Sequence, residues 1–522
     1  MSRTAGVEVA PVSGSEPGGG TGGTGGRVRP RYLRTKSIEQ SIQDTEEPDH
    51  ALTRSLSVLD LTVFGVGVII GTGIFVLTGA VAKEQAGPAT ALSFVAAGIA
   101  CALAALCYAE FASTVPVAGS AYTFSYASLG ELPAWIIGWD LVLEFALACA
   151  VVSVGWSGYI RSLLDNAGWH LPDALSGPDV AHGFSFDLLA FLLVLVITAI
   201  LVFGMKLSAR VTSVVVAIKV AVVLLVIIAG AFFIHPENYH PFIPEARGSV
   251  SGSGLKAPLI QLMFGYQPTT FGVQGIFTGA AVVFFAFIGF DIVATAAEET
   301  RNPQRDMPRG ILGSLLICTV LYVAVSIVVT GMQKYTRLSV DAPLADAFKA
   351  TGHPFYAGLI SFGAAVGLTT VSMILLLGQS RVFFAMSRDG LLPRVFSRVH
   401  PRFGTPYRST IVLGVVIAVV AGFTSISELA ALVNIGTLFA FVVVALGVII
   451  LRRTRPDLPR AFRTPWVPVL PILSVAASLW LMLNLPAETW VRFGAWMVIG
   501  LLVYFLYGRR HSRVTAAGTR TG

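Results

Sequence analysis

Charged residues are scarce in this sequence. Asp, Glu, Lys and Arg make up 12% of its 522 residues, whereas an ordinary soluble domain contains about 25%. Hydrophobic residues make up 54%, which predicts a polytopic protein whose main partner is the lipid bilayer. The net charge of +7 is better explained by loops on one side of a membrane than by nucleic-acid binding, so no nucleic-acid partner is predicted.

Cysteine is also rare, and its spacing never follows the CxxC pattern of redox and metal motifs. The eight histidines lie in polar segments, at their ends or in the tail, and no HExxH or GxSxG motif occurs. We therefore predict no disulfide framework, no metal site, no cofactor and no catalytic residue, which disfavours a membrane enzyme. The cysteines all lie in apolar runs: Cys101, Cys107, Cys149 and Cys318.

No short, cleavable signal peptide is visible at the amino terminus. Residues 1–50 are polar, with a Gly/Ser/Thr-rich run at 13–26 and a basic stretch at 27–36. This composition cannot bury enough apolar surface to fold. We expect a disordered cytoplasmic tail.

Long apolar runs dominate the rest of the chain. Each is near the roughly 20 residues that a helix needs to cross a bilayer. The twelve approximate cores are 58–81, 89–114, 134–160, 185–204, 210–234, 277–297, 309–331, 355–380, 409–424, 428–451, 467–485 and 489–507.

The positions of Lys and Arg test this count. With the first tail inside, 27 of the 36 Lys and Arg lie in the tails and inner loops, 8 lie in outer loops and Lys219 lies within a run. Cytoplasmic loops carry such an excess of positive charge. The pattern predicts a multi-pass protein of the cell membrane with both termini in the cytoplasm.

The fifth and sixth apolar runs are separated by a long outer loop that divides the chain. Five runs precede it, an odd number, so the next set enters the membrane from the opposite side. We predict an all-α protein of about twelve transmembrane helices, with two inverted five-helix repeats and two further helices. The expected units are a tail at 1–50, repeats at 51–234 and 277–455 around the loop 235–276, two spans at 456–508, and a tail at 509–522.

The first run, 58–81, contains five glycines, and Thr72 lies between two of them. Glycine costs about 1 kcal/mol relative to alanine in a helix, so the centre from Ile70 to Ile74 is a poor helix. Broken backbone at membrane depth survives only where protein buries it or where it lines a cavity. The alternative is a glycine-rich face for close helix packing.

The sixth run has a comparable disturbance at 284–290. A broken first helix in each of two inverted sets indicates a transporter with a binding site at the bilayer midplane. Free N–H groups after the first break, at Thr72, Gly73 and Ile74, suit a carboxylate. Carbonyls before it and at Phe285–Ile288 suit an ammonium group, so the two breaks together match an α-amino acid.

Two ionisable residues lie deep in the apolar runs. Lys219 is near the middle of the fifth run, where a lysine is costly unless it is paired, neutral or facing water. It can take a proton-coupling role, or it can be a static lysine bonded to carbonyls of the first helix. Glu144, in the third run, is a second candidate for contact with a proton or the substrate; the alternative is a structural hydrogen-bond role.

Phe290, just past the second break, is placed to cover a bound solute; the alternative is simple packing.

Four stretches resemble the amino acid–polyamine–organocation superfamily, in particular the cationic amino acid transporter-like bacterial permeases. The match at 284–311 is the most specific, and the glycine motif alone would be weak. The stretches are GVGVIIGTGIF at 65–75, GWDLVLEF at 138–145, FFAFIGFDIVATAAEETRNPQRDMPRGI at 284–311 and GQSRVFFAMSRDGLLP at 378–393.

The resemblance implies the inverted-repeat fold of sodium symporters and transport by rocking of spans 1, 2, 6 and 7 against the others. It implies a proton as the coupling ion, because Lys219 matches the lysine that replaces sodium in proton-coupled relatives. The implied carboxylate site is the backbone of Gly71, Thr72 and Gly73. The implied partners of the amino group are the carbonyls of Ile70, Phe285 and Ile288, and the implied lid is Phe290. Ile74 and Ala286 are included as their neighbours.

Substrate choice depends on one further position. In the family the eighth span lines the side-chain end of the pocket, and a small or polar residue there suits arginine-like substrates. Here the residue is Leu375, which favours neutral L-amino acids. An exchanger, a polyamine or cationic amino acid carrier, and a membrane nutrient sensor that does not transport stay open as alternatives.

Overall fold

The computed structural model describes residues 56–114, 121–122, 125–126, 129–177, 186–204, 209–248, 254–265, 269–293, 300–458, 460 and 462–512. The tail predicted at 1–50 and most of the tail predicted at 509–522 lie outside these residues.

Helices make up most of the described chain, and one short antiparallel pairing lies in the long loop between the two predicted repeats. The strands are β1 (Arg247–Gly248) and β2 (Thr269–Thr270). The helices are α1 (Val58–Ile69), α2 (Thr78–Val81), α3 (Thr90–Thr114), α4 (Glu131–Asn166), α5 (Leu188–Val202), α6 (Ala209–Ala231), α7 (Leu259–Phe264), α8 (Gly272–Val283), α9 (Phe290–Val293), α10 (Pro303–Met332), α11 (Pro343–Ala350), α12 (Pro354–Arg388), α13 (Tyr407–Phe423), α14 (Ile426–Thr454), α15 (Val469–Leu483), α16 (Ala487–Val503) and α17 (Arg509–His511).

Each apolar run of the sequence coincides with helix in the structure. Eight helical runs are long and apolar enough to cross a membrane, and four shorter apolar helices accompany them. The helix pairs α1/α2 and α8/α9 share the first and sixth runs. The protein is therefore an all-α polytopic membrane protein.

Helix ends differ from the apolar cores because hydropathy marks only the part that suits lipid. The helix α4 reaches from Glu131 to Asn166 where the apolar core was predicted at 134–160, and α12 continues to Arg388 beyond the predicted 380. The backbone hydrogen bonds of a helix continue through polar residues at its ends. These extra turns carry the charged residues that border the loops.

The helix α1 lies close to two neighbours because its glycines have no side chains. A Cβ atom on Gly65 would come within 2.6 Å of Ser314 Oγ on α10, and one on Gly67 would overlap Val216 on α6. Small residues allow such close approach between membrane helices. The packing role considered for the glycine-rich run therefore applies to these two positions.

A buried carboxylate joins two distant parts of the bundle. Glu110, at the end of α3, accepts two hydrogen bonds from Arg452 of α14, from Nε at 2.9 Å and from Nη2 at 2.7 Å. It also accepts one from the backbone N–H of Thr464 at 2.7 Å and forms an ion pair with Arg460 at 3.4 Å. The side chains of Glu110 and Arg460 are only 4% and 5% exposed, so Arg460 depends on Glu110 for a counter-charge, whereas both arginines compensate Glu110.

Replacing Glu110→Gln is expected to lower the free energy of unfolding by about 3 kcal/mol, because the two arginines lose their buried counter-charge. The measurement is thermal unfolding of the purified protein in detergent. The matched control is Glu428→Gln, whose ion pair with Arg492 is about 40% exposed on both sides and should contribute under about 1 kcal/mol. Equal losses for the two variants would contradict the structural role of Glu110.

Candidate functional site

The first break lies between α1 and α2. The helix α1 ends at Ile69, and Ile70 is extended, with φ −70° and ψ 96°. Helical backbone resumes as a π-helical turn at Gly73–Leu77. The first N–H groups of a helix have no partner within it, so the backbone from Gly71 to Gly73 offers donors at this point.

The second break separates α8 from α9. A 3₁₀ turn at Phe284–Phe287 is followed by extended Ile288 and then by Gly289. The φ of Gly289 is +122°, a conformation that L side chains rarely adopt, so glycine is required there. The backbone N–H of Gly289 donates to Asp291 Oδ1 at 3.2 Å, which helps to hold the start of α9.

The two breaks touch each other, and one tyrosine spans them. The Tyr322 hydroxyl of α10 lies 2.7 Å from the carbonyl oxygen of Ile69 and 2.8 Å from that of Ala286, and its one hydrogen serves both. A Cβ atom on Gly73 would overlap the backbone of Ala286. The first and second breaks are therefore held as one unit.

A small cavity lies where the two breaks meet. Its volume is about 20 Å³, which is room for about one water molecule. Thr72 is the one lining residue with a polar side chain, and its Oγ1 has no hydrogen-bond partner among the described residues. The lining residues are Val68, Ile69, Gly71, Thr72, Gly73, Ala148, Val152, Phe285, Ile288, Val371 and Leu375.

Most of the predicted binding residues lie at this cavity or directly behind it. Gly71, Thr72, Gly73, Phe285, Ile288 and Leu375 line it. Ile70 and Ile74 are fully buried beside it. Ala286 contributes the backbone that packs against Gly73.

Phe290 packs inside the bundle and is absent from the cavity lining. Its ring packs edge-on against Tyr108 with centroids 5.7 Å apart, and lies 5.1 Å from the ring of Phe441. It is fully buried and does not line the cavity. Because α9 starts only after the turn at Gly289, its first side chain points into the bundle, and the aromatic ring at the cavity belongs to Phe285.

Lys219 lies beneath the first break rather than in the cavity. Its Nζ donates to the carbonyl oxygen of Gly67 at 2.6 Å, and its aliphatic chain packs on Gly367 of α12, where a Cβ atom would lie 2.8 Å away. The residue is 1% exposed. One ammonium group thus connects α6 to the last turn of α1, and α12 covers it.

Glu144 is buried on α4, one turn before the cavity residue Ala148. Both of its carboxylate oxygens lack a hydrogen-bond partner among the described residues. Asp140, one turn earlier on the same helix, is in the same condition and lies against Gly436 of α14. These carboxyl groups are close to the site but do not line the cavity.

A second, larger cavity of about 420 Å³ lies farther along α4. Gly155 of α4 faces Thr72, whereas Gly158, about one turn on, faces the carbonyl oxygen of Asp341. Charged side chains from both walls line the larger cavity, including Arg161 and Lys349. It is wide and open to solvent.

Sequence reasoning missed several lining residues. Val371 lies four residues before Leu375, so helical spacing could have found it. Ala148 and Val152 are one and two turns after Glu144, and the same spacing applies. Tyr322 gave no signal in the sequence, because its importance comes only from the two carbonyls that it reaches.

The described residues contain no group of His, Cys, Asp and Glu that could hold a metal ion. The four cysteines are buried and unpaired. The chemistry available at the cavity is hydrogen bonding by backbone groups and one hydroxyl, together with apolar contact. This suits recognition and release of a small solute without covalent change.

Two discontinuous helices that meet at a small buried cavity inside a membrane bundle define the architecture of a secondary transporter. The amino acid permease family model matches residues 56–505 of the chain. The chain belongs to this family, within the amino acid–polyamine–organocation superfamily, and is a transporter rather than an enzyme.

Curated relatives cover almost the whole chain. A methylthioribose transporter of Bacillus subtilis (strain 168) is 49% identical over 481 residues, which is 92% of this chain and 98% of the relative. The branched-chain amino acid permease BcaP of the same organism is 49% identical over 486 residues, with the same coverage. The cationic amino acid transporter 4 of Homo sapiens is 31% identical, over 93% of this chain and 91% of the relative.

The contact between the two breaks yields a direct test. Replacing Gly73→Ala is expected to push the first break away from Ala286 and to weaken substrate binding by at least about tenfold, since overpacking a tight contact costs about 1–3 kcal/mol. Binding is measured with radiolabelled substrate on purified protein. Gly358→Ala is the matched control, because nothing lies within 4 Å of a Cβ atom at that position.

Unchanged affinity in Gly73→Ala would place the binding site elsewhere. If Gly73→Ala does not fold, Tyr322→Phe tests the same unit without added volume. Loss of binding is expected there too, because two buried carbonyl groups lose their shared donor.

Proposed function

We propose that the protein is a proton-coupled symporter of neutral L-amino acids that works by alternating access in the cell membrane. The proposal includes twelve transmembrane helices, arranged as two inverted five-helix repeats and two further helices, with both termini in the cytoplasm. The inner excess of Lys and Arg supports this orientation, and helices at all twelve apolar runs support the count.

The observation that carries the proposal is the composition of the small cavity. It is lined by broken backbone, apolar side chains and the hydroxyl of Thr72, which has no hydrogen-bond partner in the part of the chain that the structure describes. A substrate carboxylate fits the donor end formed by Thr72 and Gly73, where helix N-terminal N–H groups favour an anion. The ammonium group fits the carbonyl ends of the half-helices at Ile70, Phe285 and Ile288.

The walls favour a substrate with an apolar side chain. Ala148, Val152, Val371 and Leu375 form the part of the cavity away from the backbone groups. A guanidinium would be buried there without a carboxylate, and the hydroxyls of a sugar would lack partners, which is costly in either case. The relative named as a branched-chain amino acid permease supports the same substrate class.

The place of Lys219 supports coupling to protons. Its bond to Gly67 ties α6 to the helix that leads into the site. A lysine that releases its proton keeps a lone pair but loses the charge that attracts the carbonyl oxygen, so this contact weakens. Protonation of Lys219 can thus favour the position of α1 in which Gly67 accepts this hydrogen bond over a position in which α1 has moved away. Glu144, close to the site and with no hydrogen-bond partner within the geometric limit among the described residues, is a second candidate for a proton.

Transport also needs the cavity to change size. About 20 Å³ is too little for an amino acid, so the walls must separate to admit one. The larger cavity at Arg161 and Lys349 gives the outer approach. The short helix α11 lies between, with Pro343 against Gly79, and it must move to open this side.

The substrate class is tested by thermal-shift measurements on the purified protein with the twenty amino acids, common polyamines and methylthioribose. A ligand that binds only the native state raises its apparent stability. We expect branched-chain and other neutral amino acids to stabilise the wild type, and arginine to stabilise only Leu375→Ser, which opens the apolar wall. Leu359→Ser, at an exposed position of the same helix, is the control.

Stabilisation by methylthioribose alone, or by polyamines alone, would overturn the neutral amino acid assignment. A ligand that binds but is never accumulated by proteoliposomes would favour the sensor alternative. Uptake that requires substrate inside the vesicle, and no pH gradient, would favour the exchanger.

Replacing Lys219→Ala is expected to abolish accumulation driven by a pH gradient in proteoliposomes, because the coupling amine is lost. Substrate exchange across the same membranes, which needs no gradient, should be reduced much less. Lys334→Ala, in an exposed loop, is the control and should behave as the wild type. Normal accumulation by Lys219→Ala would remove the proton-coupling hypothesis.

A further inference from the structure

The segment between α12 and α13, residues 389–406, is held firmly against the bundle. Phe396 packs edge-on against Phe383 of α12 with ring centroids 5.2 Å apart. The Thr405 hydroxyl donates to the carbonyl oxygen of Val202 at 2.8 Å, at the end of α5. Within the segment, the backbone N–H of His400 donates to the carbonyl oxygen of Thr405 at 2.8 Å. The exposed side chains of this segment are therefore attached to a backbone that is held in place.

The exposed face of this segment carries an alternation of cationic and apolar residues. Arg394, Arg398 and Arg402 recur every fourth residue and are exposed. Val395 and Val399 follow the first two arginines, and each is 48% exposed. We call these five residues the arginine platform.

The platform has no counter-charge within the described residues. None of its three arginines forms an ion pair there, and the Arg402 guanidinium instead lies 5.6 Å from the ring centroid of Phe403. The nearby carboxylate, Asp389, accepts a hydrogen bond from the Tyr122 hydroxyl at 2.7 Å. Three fixed cations without an acid create a local positive potential that attracts anions.

The position of the platform selects the kind of anion. The segment joins the ends of two membrane helices, so it lies at the boundary between hydrocarbon and water. Arginine matches phosphate oxygens through paired N–H donors, and exposed valines beside it suit the acyl-chain edge of a headgroup layer. A purely solvated loop would gain nothing from exposing a valine next to two of its three arginines.

We propose that the arginine platform binds the phosphate groups of anionic phospholipids, such as phosphatidylglycerol, in the leaflet that it borders. The bound lipid bridges the ends of α12 and α13 and stabilises this side of the bundle. Under the topology proposed above this is the cytoplasmic leaflet, but the binding itself does not depend on the transport mechanism.

The test uses the purified full-length protein in nanodiscs and in detergent with added lipid. Phosphatidylglycerol is compared with phosphatidylcholine of the same acyl chains, and lipid retention is read by native mass spectrometry beside thermal unfolding. The variant is Arg394→Gln/Arg398→Gln/Arg402→Gln. The matched control, Lys256→Gln/Lys334→Gln/Arg337→Gln, removes three exposed cations from loops at the other ends of the helices.

We expect phosphatidylglycerol to be retained and to raise the unfolding temperature of the wild type and the control. The platform variant should lose at least about tenfold in affinity for it, because each arginine near an anionic surface contributes about a fivefold factor. Rising salt should weaken binding in the wild type more than in the variant. Without lipid, both variants should unfold at the wild-type temperature.

Three results would overturn the proposal. Equal retention of the two lipids by the wild type would show that the protein does not distinguish an anionic headgroup from a neutral one. An equal loss in the control variant would show that total charge matters rather than the platform. Equal stabilisation by inorganic phosphate, without lipid, would show that the segment binds free anions.

Discussion

Backbone groups left without partners at membrane depth are the constraint on which this structure depends. Two helices are broken in the middle of an apolar bundle, where water cannot complete their hydrogen bonds. The Tyr322 hydroxyl serves one carbonyl from each break, at Ile69 and Ala286. Gly73 and Ala286 are in such close contact that no further side-chain atom fits between the two breaks at that point. The small cavity lies at this junction, and Thr72 Oγ1, which has no hydrogen-bond partner among the described residues, lines it.

This arrangement separates recognition from selection. Polar groups at the cavity come from backbone and from Thr72, which match what every α-amino acid has in common. The walls come from side chains on α4 and α12, which the substrate's own side chain would meet under the function proposed above. Two relatives that are each 49% identical to this chain carry names for quite different solutes, methylthioribose and branched-chain amino acids, which would fit a choice made by a few wall positions.

The sequence contained much of this fold because apolar length, glycine placement and the distribution of arginine are local properties. The break at Gly71–Gly73 could be recognised from glycines where a helix should be strongest, and Leu375 could be placed through a motif. The direction of Phe290 could not be predicted from the sequence, because it depends on the single residue Gly289, whose φ of +122° sets where α9 begins. Tyr322 could not be found, since a tyrosine in an apolar helix looks the same whether or not it reaches two orphan carbonyls.

A site made of main chain has a consequence for how it can be studied. Mutagenesis changes side chains and leaves amide and carbonyl groups in place, so an alanine scan across residues 69–73 and 285–288 removes almost none of the polar atoms assigned here. A scan of the whole chain would instead detect residues where added bulk or a lost support moves the backbone, such as Gly73, Tyr322 and Lys219. Informative probes must alter the substrate, by esterifying its carboxylate or acetylating its amine, or add bulk at glycine.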